Sequence, residues 1–150
     1  ALKRVKRISS SNKSGPFLGS EFSYEDISSQ EVDKYRYKYL RDEVLDGREA
    51  FVSEYYPNYK HSGYTRQVVW TDKERYRPLR IDFYDRKNTL LKTLTYKNYT
   101  QYLGKYWRPS GLEMVNHQTG KSTTLDWDGY RFQTGLGPRD FDRNSLKRAR

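Results

Sequence analysis

The chain has 150 residues, of which only 34% are apolar and 15 are tyrosine. That length suits one domain, and tyrosine, which buries a ring while keeping its hydroxyl wet, suits a sheet with a half-exposed face better than a thick aliphatic core. The net charge of +10 fits nucleic acid, anionic headgroups or acidic proteins without choosing among them, and the lack of cysteine excludes disulfides, thiolate catalysis and Cys-ligated zinc.

In chain order, "ALKRVKRI" (1–8) alternates apolar and basic residues, as a short edge strand guarded by lysines does. "SSSNKSGP" (9–16) is a loop by composition. "SGPFLGSEFSYED" (14–26) sets Phe17, Leu18, Phe22 and Tyr24 among glycine, serine and acidic residues and fits neither helix nor strand. Ser23, with Asp26 three residues on, is a weakened capping-box pair for a turn or two of helix. From residue 34 the period is two. "KYRYKYLRDEVL" and "REAFVSEYY" flank Asp46-Gly47, a strong hairpin dipeptide. "TRQVVWT" and "PLRIDFYD" follow, the latter setting Leu79, Ile81 and Phe83 against Arg80, Asp82 and Tyr84. "NTLLKTLTYKNYTQYL", "GKYWRPSGLEMVNH" and "STTLDWDGYRFQT" complete a meander, and "DFDRNSLKRAR" predicts a short terminal helix. Strands joined by short turns predict a mainly β fold, a highly curved antiparallel sheet spanning residues 1–150 as one domain.

Catalytic chemistry finds little support. "TGKST" (119–123) matches the end of a phosphate-binding loop, but the first glycine of that motif is replaced by Val115, and strand-like sequence lies on both sides, so a hairpin turn is the reading. His61 and His117 are isolated in turns, without the close ligands a metal recruits. Asp126 and Asp128, flanking Trp127, are expected to meet cross-strand cations. No enzyme, cofactor or metal site is expected. "KYRYKYLR" and "YKNYTQYLGKYWR" interleave rings with cations, as single-strand binders do, but any strand with a wet face reads the same way. Nucleic acid is the least favoured partner. The remaining chemistry is apolar: Leu79, Ile81, Phe83, Leu94, Met114 and Leu125 are candidates to line one face of the sheet. They either hold a lipid-sized ligand or pack on a helix or loop, and the pattern leaves both open. Trp70, Trp107 and Trp127 are expected to pack the sheet.

"SGPFLGSEFSYEDI", "SGYTRQVVWTD", "RPLRIDFYDRKNTLLKTLT" and "YWRPSGLEMVNHQTGKSTTLDWDGYRF", in that order, resemble the family of outer-membrane lipoprotein-sorting proteins, relatives of the periplasmic lipoprotein carrier LolA. The resemblance covers nearly the whole chain. It implies a half-open antiparallel β-barrel whose concave side is covered by helical or loop segments and receives acyl chains. It also implies a bacterial, periplasmic carrier of lipids or lipoproteins, with a regulatory or protein-interaction domain of the same fold as the alternative. Family members carry an export signal, a helix and further strands before the "RVKRIS" region, so this chain is expected to be a C-terminal portion. A truncated sheet is expected to dimerise through its edge or face, or to leave a groove, and a membrane-associated protein partner is expected to receive the cargo. In that frame Phe17, Leu18 and Phe22 read as a lid laid over the concave face.

Overall fold

The computed structural model describes Val5 and residues 7–148. Seven strands form one antiparallel sheet in chain order: β1 Tyr35–Leu45, β2 Arg48–Pro57, β3 Arg66–Asp72, β4 Pro78–Tyr84, β5 Leu90–Tyr102, β6 Tyr106–Asn116 and β7 Ser122–Asp126. The sheet is curved and unclosed, the arrangement the period-two pattern predicts. Its turns follow their local chemistry. Asp46 and Gly47 both take positive φ, 49° and 76°, as a tight hairpin with this strand twist requires. Gly120, with φ 72°, turns β6 into β7, so the "TGKST" stretch is a hairpin turn followed by a strand.

Three expectations change in detail. The edge strand expected at 1–8 falls mostly outside the described residues, and Val5, Arg7 and Ile8 lie in no strand. The last strand stops at Asp126, short of the expected 134. There Gly129 takes φ 65°, and the chain turns to stack Tyr130 and Phe132 on Tyr102 and Tyr106, with the Tyr106 and Phe132 rings 4.8 Å apart and nearly parallel. The four half-buried rings pack on one another in place of further ladder bonds on an edge. The terminal helix, α1, is confined to Arg143–Arg148; the Asp142 carboxylate accepts the Asn144 and Ser145 amides, both at 2.7 Å, which satisfies two of its free donors.

The alternation of the strands builds two apolar clusters, one per face. On one face Val69, Ile81, Leu94 and Met114 sit in register across β3–β6, and with Phe83 and Tyr64 they are buried around Phe22. On the other face Ala50, Val52, Val68, Trp70 and Leu79 pack together, flanked by Leu40, Leu45 and Tyr84. Leu79 therefore does not join Ile81 and Phe83, although strict alternation predicts that it should. A bulge between Trp70 and Thr71 sets Trp70 opposite Arg80 and Thr71 opposite Pro78, leaving Leu79 as the extra residue. An extra residue inverts the phase of the side chains that precede it.

Candidate functional site

The segment "SGPFLGSEFSYED" lies across the face built on Ile81, Phe83, Leu94 and Met114. It is a small closed loop. Pro16 and Ser23 form an antiparallel bridge, the Phe17 amide donates to the Phe22 carbonyl at 2.7 Å, and the Ser20 hydroxyl donates to the Phe17 carbonyl at 2.6 Å. Leu18 and Gly19 turn the tip with φ of 50° and 76°. This geometry sorts the three apolar side chains. Phe22 faces inward and is 1% exposed, within the cluster of Phe83 and Met114. Phe17 packs half-buried against the same cluster and meets Tyr24 edge-on at 5.6 Å. Leu18 is 82% exposed because it occupies the turn tip. The lid residues expected from sequence are thus Phe17 and Phe22 in contact with the sheet, and Leu18 is corrected to a solvent-facing residue.

What pins this loop is polar. Along the covered face, period two places Lys92 in phase with Leu94 and Tyr96, and its side chain is only 6% exposed. The Lys92 ammonium donates to Asp26 Oδ2 at 2.7 Å and to the Glu21 carbonyl at 2.9 Å. It also lies over the Tyr64 and Phe83 rings, at 5.4 and 5.5 Å from their centroids. Asp26, its side chain fully buried, accepts further bonds from the Tyr64 hydroxyl at 2.6 Å and the Ser23 amide at 2.7 Å. Ser23 and Asp26 bond reciprocally, the capping pair expected from sequence, but enclose a single turn and no helix. Burial and the neighbouring Asp26 charge push the Tyr64 hydroxyl well above the usual phenol range. At the far rim Asn116 Nδ2 donates to Glu21 Oε2 at 2.7 Å, and the Glu21 amide donates to Thr123 Oγ1 at 3.1 Å.

A second anchor stands on Glu25, which is 7% exposed. Its carboxylate accepts the Gly63 amide at 2.8 Å, the Ser62 hydroxyl at 2.5 Å and the Tyr59 hydroxyl. Burial and that carboxylate hold the Tyr59 phenol far above its ordinary range. A buried charge that is paired and fully bonded resists being moved, since either partner left alone in the apolar interior is costly. The loop is therefore held by an apolar plug, Phe22, and by two polar anchors, Asp26–Lys92 and Glu25.

Ile81, Phe83, Leu94 and Met114 are brought together beneath the loop, at 2% exposure or less, with Leu125 half-buried at the edge of the same cluster. Leu79 is not among them, being on the opposite face. Sequence reasoning missed Lys92, Glu25 and Tyr64, and with them the role of Asp26 as the counter-ion of Lys92. The available signal was Lys92: a lysine in the inward phase of an apolar strand demands a buried carboxylate.

A family model with the description "Uncharacterized protein" matches residues 1–148. A crystal structure from Vibrio parahaemolyticus, described as an outer membrane lipoprotein-sorting protein domain, is 63% identical, with a TM-score of 0.94 over 97% of this chain and 62% of that one. A DUF1329 family protein from Desulfovibrio piger is 33% identical, with a TM-score of 0.88 over 94% of this chain and 59% of that one. A LolA superfamily protein from Nitrosomonas europaea is 25% identical, with a TM-score of 0.73 over 89% of this chain and 60% of that one.

The chain belongs to this LolA-like family.

It spans about three-fifths of the length of these solved relatives. No curated protein matches it significantly. Two of the open clefts among the described residues flank the sheet outside the covered cluster. One, of about 170 Å³, runs between the loop and the sheet edge, with Tyr35 and Tyr59 on its wall and Lys13, Lys34 and Lys60 around it. The other, of about 460 Å³, separates the β1–β2 turn at Leu45 and Arg48 from Leu79, Tyr96 and Tyr99. The remaining polar residues weighed from sequence stand apart from all of these. His61 is exposed; His117 is exposed and bonds Thr93 at 2.7 Å; Asp126 and Asp128 are exposed at and beyond the end of β7. Trp70 packs the sheet, Trp107 stacks on Arg77 at 4.5 Å, and Trp127 is 40% exposed.

Proposed function

We propose that this LolA-like chain belongs to a periplasmic carrier that holds lipid or lipoprotein acyl chains non-covalently on the covered face, with residues 14–26 as an exchangeable cover. The observation that carries the reading is the plug: Phe22 lies on Ile81, Phe83, Leu94 and Met114 as an apolar ligand would, and the segment bearing it is a short loop outside the sheet. An acyl chain takes the place of Phe22, and its release restores the plug. No bond is made or broken.

Energetics set the ligand class. Withdrawing Phe22 forfeits about 3–5 kcal/mol, and separating Lys92 from Asp26 about 3–5 more. A buried methylene returns about 0.8 kcal/mol. Roughly eight to twelve methylenes are needed to offset the opening, so long acyl chains bind and short ones do not. Native mass spectrometry of the protein with palmitate and with octanoate tests this. Palmitate adducts are expected, strengthened by Phe22→Ala, and octanoate adducts are not. Absence of palmitate adducts from both the wild type and Phe22→Ala overturns the proposal.

That the covered face is filled by the protein's own side chains favours a second reading, a protein-interaction domain whose partner binds outside a permanently closed core. In that case Phe22→Ala destabilises the fold without gaining any acyl ligand.

A further inference from the structure

The β5–β6 hairpin outruns its neighbours. Pairing of β4 with β5 ends at Arg80–Thr95, and pairing of β6 with β7 ends at Gly111–Asp126. The ladder between β5 and β6 continues to Tyr102–Tyr106. From Lys97 to Leu103 it is a two-stranded arm about 20 Å long with no strand on either flank among the described residues. Its root is braced. The Arg77 guanidinium is sandwiched between Tyr99 and Trp107, at 4.3 and 4.5 Å from their centroids, and the Tyr99 hydroxyl donates to the Pro78 carbonyl at 2.8 Å. At the tip Gln101 Nε2 donates to the Gly104 carbonyl at 2.7 Å.

The end of the arm combines apolar, aromatic and cationic surface. At the tip Leu103 is 68% exposed, with φ 51°. Directly behind it Tyr102, Tyr106, Tyr130 and Phe132 form one stack. Beside the rings stand Lys105 and Arg108, both exposed and with no acidic partner within 4.0 Å among the described residues. Lys105 lies over Tyr106 at 5.5 Å and Arg108 over Phe132 at 6.0 Å. Some cations of the sheet are paired, as in Arg80–Asp82 and Arg66–Glu54; Arg36 and Lys38 on β1 are exposed and, like those at the arm, have no acidic partner within 4.0 Å among the described residues.

We propose that the β5–β6 arm docks on the surface of an anionic lipid bilayer, with Leu103 entering the headgroup–acyl boundary. An exposed leucine beside an aromatic cluster and cations without acidic partners has the composition of a membrane-interface anchor. The two cations, without acidic partners, complement anionic headgroups. An acidic protein face would match the cations but not the exposed leucine at the end of an arm. The proposal is independent of acyl binding under Phe22, which uses other residues.

Co-sedimentation of the purified protein with vesicles tests it. Binding to equimolar phosphatidylglycerol and phosphatidylcholine is expected, with little binding to phosphatidylcholine alone. Lys105→Gln should weaken it about fivefold, the worth of one basic residue near such a surface, and Leu103→Ser about tenfold. Lys121→Gln removes the same charge at the opposite end of β6 and should change nothing. No binding to the anionic vesicles overturns the proposal. So does an equal loss on Lys121→Gln, which would show diffuse charge attraction only, or wild-type binding by Leu103→Ser. Phe22→Ala should leave vesicle binding intact, so this test and the acyl test fail separately.

Discussion

Removing Asp26 tests the polar anchor most directly. Asp26→Ala leaves the Lys92 ammonium 6% exposed without its counter-ion and strips a partner from the Tyr64 hydroxyl and the Ser23 amide. Breaking a buried pair from one side costs about 3–5 kcal/mol. The Glu21 carbonyl at 2.9 Å and the two rings beneath the ammonium stay in place, which sets the expectation at the lower end, about 3 kcal/mol. For a domain of this size that is a fall in Tm of roughly 6–12 °C. Lys92→Met in the same chain removes the orphaned charge while keeping most of the stem's apolar volume. The double variant should therefore be more stable than Asp26→Ala alone, by about 2 kcal/mol. Urea unfolding followed by circular dichroism measures all three. If Asp26→Ala costs under about 1 kcal/mol, or if the two substitutions add without coupling, the pair is not a buried anchor and the reasoning is refuted.

The two faces should respond differently to truncation. Ile81→Ala and Leu79→Ala should each destabilise by about 2–5 kcal/mol, but only Ile81→Ala should alter acyl binding, because a bulge separates the two residues onto opposite clusters; equal effects on binding would contradict that assignment. Stability should also fall at alkaline pH. Burial pushes the Tyr96 phenol up to about 12, and the buried Tyr64 and half-buried Tyr59 and Tyr99 phenols are raised too. A phenol raised on folding stabilises fully below its unfolded value near 10 and loses that contribution as pH climbs through the folded value. Denaturation midpoints should hold to about pH 10 and drop toward pH 12; a flat profile across that window would show that these phenols are solvated.

Much of the architecture was legible in the chain itself. Period two from Tyr35 onward, the Asp46-Gly47 turn and the absence of long apolar helices specify a meander, because side-chain alternation and turn conformations are local properties. The inward set Ile81, Phe83, Leu94 and Met114 followed from the same alternation, and Ser23 and Asp26 were a readable reciprocal pair. Leu79 was not readable, since a single bulged residue reverses phase and is chosen by packing across three strands. Nor was the division of "SGPFLGSEFSYED" into Phe22 inside and Leu18 outside. That follows from where a closed loop makes its turn and which side chain then meets the sheet. The pairing of Lys92 with Asp26, 66 residues apart, needed the tertiary fold, because nothing local tells a buried lysine which carboxylate will neutralise it. The sequence determined that a curved sheet would need covering; only the assembled structure decided that Phe22, the buried Asp26–Lys92 pair and Glu25 hold the cover in place.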